Sequence, residues 1–160
     1  MTFSVSATNR KPRAGEIDGV HYHFLSTGEF HDRIAAGDFL EYEEVYPGRF
    51  YGTLKSEINR ALDAGRNIVL DIDVKGGINV KRFYGQRAIS IFIKPPSVEE
   101  LRRRLENRGT ESREVIDERI SRAEFELSLA PEFDTVVVND NLEKAIDDTE
   151  RVITGFITGK

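Results

Sequence analysis

The stretch FSVSATNRKPRAGEIDGVHYHF, residues 3–24, organises this chain. It opens as a short apolar strand, Phe3-Ser4-Val5-Ser6, and runs into a loop carrying Ser6, Thr8, Arg10, Lys11 and Arg13. Gly15, Asp18 and Gly19 supply turn residues, and the alternating segment 20–24 predicts a second strand returning as a hairpin. Arg10 and Arg13 lie three apart, with Pro12 between them to stiffen the loop. Two guanidinium forks on a rigid loop can hold a phosphate dianion bidentately. The plain alternative is a pair of solvated arginines on a surface hairpin.

The rest of the chain narrows the choice. It has 160 residues, enough for one domain burying about 70% of its unfolded surface. A net charge of −5 argues against a general polyanion surface, so no nucleic-acid partner is expected and any arginine used on an anion acts locally. There is no cysteine, hence no disulfide framework or thiolate metal site. No apolar run approaches the roughly 20 residues of a membrane span, and no signal-peptide pattern opens the chain; both are compatible with the cytoplasm. His21, His23 and His31 lack the spacing of a metal site.

Periodicity divides the remainder into alternating elements. Ser26 and Glu29 predict a capping box opening a helix that ends at Gly37. Strands are expected over 39–46 and 50–53 about a Pro47-Gly48 turn, then a helix over 54–64 with Ile58, Ala61 and Leu62 inward. A strand over 67–73, a helix over 74–84 and a strand over 88–93 follow. Ser97 and Glu100 predict a second capping box for a helix to about 107, broken at Arg108-Gly109-Thr110. A helix over 112–129, a strand over 135–139 and a helix over 141–157 complete the chain. Continuous apolar strands alternating with helices indicate a parallel sheet covered on both faces, whose ligands bind beyond the strands' carboxyl ends. Asp71, Asp73 and Asn139 fall at that edge.

Several side chains there suit nucleotide chemistry. Tyr22 and Tyr51 could each add a phenolic hydroxyl to the phosphate held by Arg10 and Arg13. Glu41 could accept from the adjacent N1–H and N2–H₂ of guanine, a donor pair adenine lacks; by itself it also reads as a surface glutamate. Asp71 and Asp73 could orient a nucleotide or hold Mg²⁺ through water, or instead cap a helix or pair with Lys75. Arg104, Arg108 and Arg119 flank the helix break, as arginines on a mobile phosphoryl-transfer segment would, or as a solvated helix face would.

The pattern SVSATxRxPRxGExDGxxYxF (4–24) resembles the nucleotide-monophosphate-binding signature of guanylate kinases. The resemblance continues through FLEY (39–42), FYGT (50–53), LDIDVKG (70–76), PPSxEELxxRLxxRGT (95–110) and VVVNDNL (136–142), in the family's order. It implies phosphoryl transfer from ATP to GMP, giving ADP and GDP, with Mg²⁺ accompanying ATP. It implies that Arg10, Arg13, Tyr22 and Tyr51 hold the GMP phosphate and that Glu41 reads guanine, helped by Ser6 and Thr53. Asp71 would lie beside GMP and Asp73 near the phosphates and metal. Arg108 and Arg119, with Arg104, would reach the ATP phosphates from a lid, and Asn139 the adenine or ribose. Arg108, Arg119, Asp73 and Arg10 would be the catalytic set.

The implied fold is α/β: a P-loop-kinase-like parallel sheet core flanked by helices, with a small mixed α+β GMP-binding insertion and a helical lid. One domain is expected over 1–160, with a GMP-binding subdomain at about 5–66, a core at 67–101 and 131–160, and a lid at about 102–130. The family's first strand and its G-x-x-x-x-G-K-[ST] loop precede the SVSAT stretch, and no such string occurs in these residues; the nearest, 155–160, reads as a frayed tail. Three readings follow: an incomplete copy of a working kinase, a module binding GMP or a phosphopeptide without turnover, or a kinase borrowing its phosphate loop from a partner chain. The retained acceptor-site and lid residues favour the first. A sheet lacking that strand should be weak, rearranged or completed by a homodimer.

Overall fold

In chain order the elements are β1 (Thr2–Phe3), β2 (Ala7–Thr8), β3 (His23–Phe24), α1 (Thr27–Ala35), β4 (Phe39–Tyr46), β5 (Arg49–Leu54), α2 (Lys55–Asp63), β6 (Ile68–Val69), α3 (Val74–Tyr84), β7 (Ile91–Lys94), α4 (Val98–Arg108), α5 (Arg113–Ser128), β8 (Thr135–Val138) and α6 (Leu142–Thr158). A computed structural model describes residues 1–109 and 112–159. The chain divides into two units, Met1–Phe83 and Tyr84–Lys160.

The first unit is built on a four-stranded sheet in the order β3-β2-β5-β4. β4 and β5 pair antiparallel about Pro47-Gly48, where Gly48 takes a φ of +73° that a side chain would resist. Asn9 secures that turn, donating to the Gly48 carbonyl at 2.8 Å while its carbonyl oxygen accepts from Phe50 N at 2.8 Å. The capping box of α1 forms in both directions: Glu29 N donates to Ser26 Oγ and Ser26 N to the Glu29 carboxylate. α1 thereby seats Phe30, fully buried, between Phe39 at 4.5 Å and Phe50 at 5.6 Å, in a core with Ala7 and Leu54. A separate two-stranded parallel sheet pairs β1 with β6.

Four expectations for this unit are corrected. The opening hairpin is not one: β2 and β3 run parallel, so residues 9–22 form a crossover loop. The expected strand over 3–6 is not one: β1 ends at Phe3, residues 4–6 lie outside any strand, and β2 begins at Ala7 in a different sheet. The strand expected over 67–73 stops at Val69, because β1 offers partners only at Thr2 and Phe3; Asp71 and Asp73 therefore lie in the loop after it. Leu62 is 36% exposed, while Ile58 and Ala61 are buried.

In the second unit β7 and β8 pair parallel, from Ile91 opposite Thr135 to Lys94 opposite Val138. Buried Ser90 and exposed Asp134 lock the entry to both strands, Ser90 N and Oγ each donating to the Asp134 carboxylate at 2.8 Å. α4 and α5 pack through Leu105, Ile116 and Ile120. Ser97 caps α4 by accepting from Glu100 N, but the reciprocal half of the expected capping box is absent, since the Glu100 carboxylate binds Arg103 and Arg104 instead. Thr110, in the expected helix break, and Glu111 lie outside the described residues, as does Lys160. The expected frayed tail is helical through Thr158, closed by Gly159 at a φ of +68°. Parallel pairs with covering helices make the fold α/β, with a mixed α+β unit around 7–54. No described helix is long and apolar enough to cross a membrane.

Phe30→Ala removes the centre of the first unit's core and should cost about 3–5 kcal/mol in urea unfolding. A loss below about 1 kcal/mol would mean that this cluster is not the stabilising core.

Candidate functional site

The crossover loop of the first unit is held from inside. Thr8 is fully buried; its hydroxyl donates to the Phe50 carbonyl at 2.8 Å and accepts from Arg10 N at 3.2 Å. The Arg10 guanidinium sits over the rings of Tyr22 and Phe24, at 5.2 and 5.6 Å from their centroids. Glu16 grips its end in a fork, each carboxylate oxygen accepting from one Nη at 2.8 Å, and Nη1 also donates to the Lys11 carbonyl. Arg10 Nε is buried and has no hydrogen-bond partner. The pairing raises the Arg10 pKa further above its already high value, chiefly through Glu16, with Tyr51 adding to it against burial. Glu16 in turn is held down to about 2, first by Arg10 and then by the Arg13 backbone N–H, which donates to it at 2.6 Å. Tyr22 and Tyr51 meet edge to face at 6.0 Å. The structure thus gathers Arg10, Tyr22 and Tyr51 in one place; the Arg13 side chain is exposed and shares with Arg10 its backbone anchor on Glu16.

β5 carries the site onward. Tyr51 and Thr53 lie two apart, so they share a face of the strand roughly 7 Å apart. Thr53 stands opposite Glu41 in β4. Glu41 is only 7% exposed, and its Oε1 and the Thr53 Oγ1 are both buried without a hydrogen-bond partner. Thr53 is near enough to favour the charged carboxylate, yet the two oxygens do not meet hydrogen-bond geometry. Burial dominates and, with the Asp73 charge adding to it, pushes the Glu41 carboxyl up to about 6. Asp73 closes the first turn of α3, accepting from Gly76 N at 2.8 Å. Of the roles open to it, helix capping is one it performs; Lys75 pairs instead with Glu43, at 3.7 Å. Asp71 is exposed in the loop before α3, and Ser6 is half-buried, its carbonyl accepting from His23 N.

In the second unit Arg104 and Asn139 come together. Arg104 Nη1 donates to the Asn139 carbonyl at 2.9 Å, and Nε to Glu100 at 2.8 Å, so α4 is tied to the end of β8. Arg108 is the last residue of α4, exposed just before Gly109 turns the chain at a φ of +64°. Arg119 is half-buried on α5, which an Arg102–Asp117 ion pair at 2.6 Å ties to α4.

Sequence reasoning missed Glu16 and Thr8 as parts of the site. Both stood in the quoted pattern, but nothing about an acid six residues after an arginine says that the loop folds back to join them. Among the described residues no three His, Cys, Asp or Glu side chains are placed to hold a metal ion. His21 Nδ1 accepts from Ile17 N, and His31 packs edge-on against Phe50.

The family model described as guanylate kinase matches residues 1–155. The chain is 56% identical over 157 residues to a guanylate kinase of Bacteroides fragilis, covering 98% of this chain and 77% of that protein. It is 54% identical to one of Salinibacter ruber, covering 99% and 84%. Among solved structures it is similar to a guanylate kinase from Anaplasma phagocytophilum, at 32% identity and a TM-score of 0.78, covering 96% of this chain and 74% of that one.

The buried carboxylate makes a stability prediction. The Glu41 pKa is higher folded than unfolded, so its charge destabilises the fold, absent below about 4.5 and complete above about 6. Glu41→Gln should therefore gain about 2 kcal/mol at pH 7 and nothing at pH 4, read by urea unfolding at both. Equal effects at the two pH values would mean that the carboxylate is not desolvated.

Proposed function

This chain belongs to the guanylate kinase family and is an ATP:GMP phosphotransferase, and from that premise we propose how its residues share the reaction. Arg10, Arg13, Tyr22 and Tyr51 hold the GMP phosphate. Glu41 reads the guanine edge, with Ser6 and Thr53 completing the base contacts, and Asp71 flanks the nucleotide. Arg108 and Arg119, with Arg104, take the ATP phosphates, and Asn139 the adenine or ribose. Residues 1–160 work as one domain, with GMP bound within about 5–66 and a lid at about 102–130, in the cytoplasm.

The observation that carries this reading is the buried Glu41 oxygen without a partner. A carboxylate kept out of water is costly unless a donor arrives to meet it. Guanine brings two adjacent donors and adenine brings none there, so the same cost becomes discrimination. A module that binds GMP or a phosphopeptide without turnover is not favoured, since relatives at 42–56% identity are guanylate kinases.

Catalysis in this reading is positioning and charge neutralisation. A GMP phosphate oxygen attacks the γ-phosphorus in line; the new O–P bond forms as the bond to the ADP oxygen breaks, with no covalent enzyme intermediate. Glu16 keeps Arg10 fixed before GMP arrives, engaging one hydrogen of each Nη and leaving the second Nη2 hydrogen for the phosphate. Arg108 and Arg119 neutralise charge on the transferring group, and lid closure excludes water. Asp71 and Asp73 are hard oxygen donors that would suit Mg²⁺ held through water. Held there, the ion would supply neutralisation of the phosphate charge.

ADP release from MgATP should depend on GMP, with AMP far poorer, and Glu41→Gln should lose the preference for GMP over AMP. The wild-type preference should fall as pH drops through about 6, where Glu41 takes up a proton, and the variant should be flat. Comparing two nucleotides cancels the ionisation of the phosphate they share. GMP binding without turnover would restore the binding-module reading, and an unchanged preference in Glu41→Gln would remove Glu41 as the base reader. Arg13→Ala should weaken GMP binding by about 1–3 kcal/mol in a calorimetric titration. An unaltered dissociation constant would take Arg13 out of the clamp.

A further inference from the structure

Gly76 stands in the first turn of α3, buried, where glycine is the poorest helix former but proline. Its φ is not positive, so the backbone does not require a glycine. Space does. A Cβ built there would lie 2.5 Å from Glu41 Oε2, 3.0 Å from Asp73 Oδ1 and 3.1 Å from Glu41 Cδ. The first distance is about 1 Å short of ordinary contact, and its neighbour is no flexible surface tip: Glu41 is buried on a paired strand. The carboxylate of Glu41 therefore occupies the volume that any side chain at 76 would take.

We propose that Gly76 is a positioning residue for guanine discrimination: the missing side chain is the seat in which the Glu41 carboxylate rests. The proposal depends on Glu41 being the base reader. Two features fix the carboxylate there. β4 delivers it opposite Thr53, and the Gly76 backbone approaches it closely. Gly76 touches no substrate in this account. It acts through the carboxylate, whose displacement by about 1 Å misaligns two hydrogen bonds to the base while leaving the Arg10 loop untouched.

Binding of GMP and of AMP to the intact protein, measured by calorimetric titration for wild type, Gly76→Ala, Glu41→Ala and the double variant, tests this. Gly76→Ala should weaken GMP by about 10- to 100-fold and leave AMP nearly unchanged. In the Glu41→Ala background the same alanine should change neither ligand, because nothing is left to displace. A Gly76→Ala chain that keeps the wild-type ratio of GMP to AMP, while Glu41→Ala loses it, overturns the proposal and leaves the base reader standing. Equal losses for the two nucleotides also overturn it. If Glu41→Ala itself keeps the ratio, the base-reader assignment falls and Gly76 falls with it. Should Gly76→Ala fail to fold, a folded double variant supports the seat, and a double variant that also fails overturns it, since the collision is then with something other than Glu41.

Discussion

A carboxylate held out of water is the constraint around which the first unit is arranged. Glu41 lies on a paired strand, faces a buried hydroxyl, and meets the backbone of α3 where no side chain intervenes. Left alone, such a group protonates or drags water inward; here burial lifts its pKa only to about 6, so it stays anionic at neutral pH. The Phe30, Phe39 and Phe50 cluster provides the rigidity, because β4 and β5 contribute both core residues and site residues. The Glu41 carboxylate is thus as fixed as the core beneath it.

The Arg10 loop, proposed to hold the phosphate, follows the opposite logic. There the charge is satisfied before the ligand comes. Arg10 is gripped by Glu16, stacked on two rings and rooted through Thr8, so little side-chain freedom remains to be lost on binding. Glu16 does a second task by anchoring the Arg13 backbone, which sets the spacing of the two arginines. One acid thereby organises two cations, and its low pKa keeps it doing so well into the acid range.

In the second unit, Arg102 and Arg104 are engaged within the fold, whereas Arg108 stands at a helix end. Arg104 fastens α4 to the end of β8, and Arg102 fastens it to α5. Arg108 sits at the terminus beside Gly109, where the chain direction changes.

Much of this was legible in the residues themselves. Helix starts at Ser26, Ser97, Ser112 and Asn141, the β4 span and the α3 span all follow from local chemistry, because caps and periodicity act within a few residues. The family pattern likewise singled out Arg10, Tyr22 and Tyr51, which the fold brings together, and Glu41, which it buries. Which partner each would take was not legible. That β2 and β3 run parallel, that β6 stops at Val69, that Glu100 chooses two arginines over its own cap, and that Glu16 returns to Arg10 are decisions between groups distant in sequence or equal in local energy. The need for Gly76 belongs to the same class: a glycine in a helix looks like a local fault until β4 brings a carboxylate to the place where its side chain would stand. Local propensity sets what a residue can do at its own position, and only packing sets which other residue occupies the space beside it.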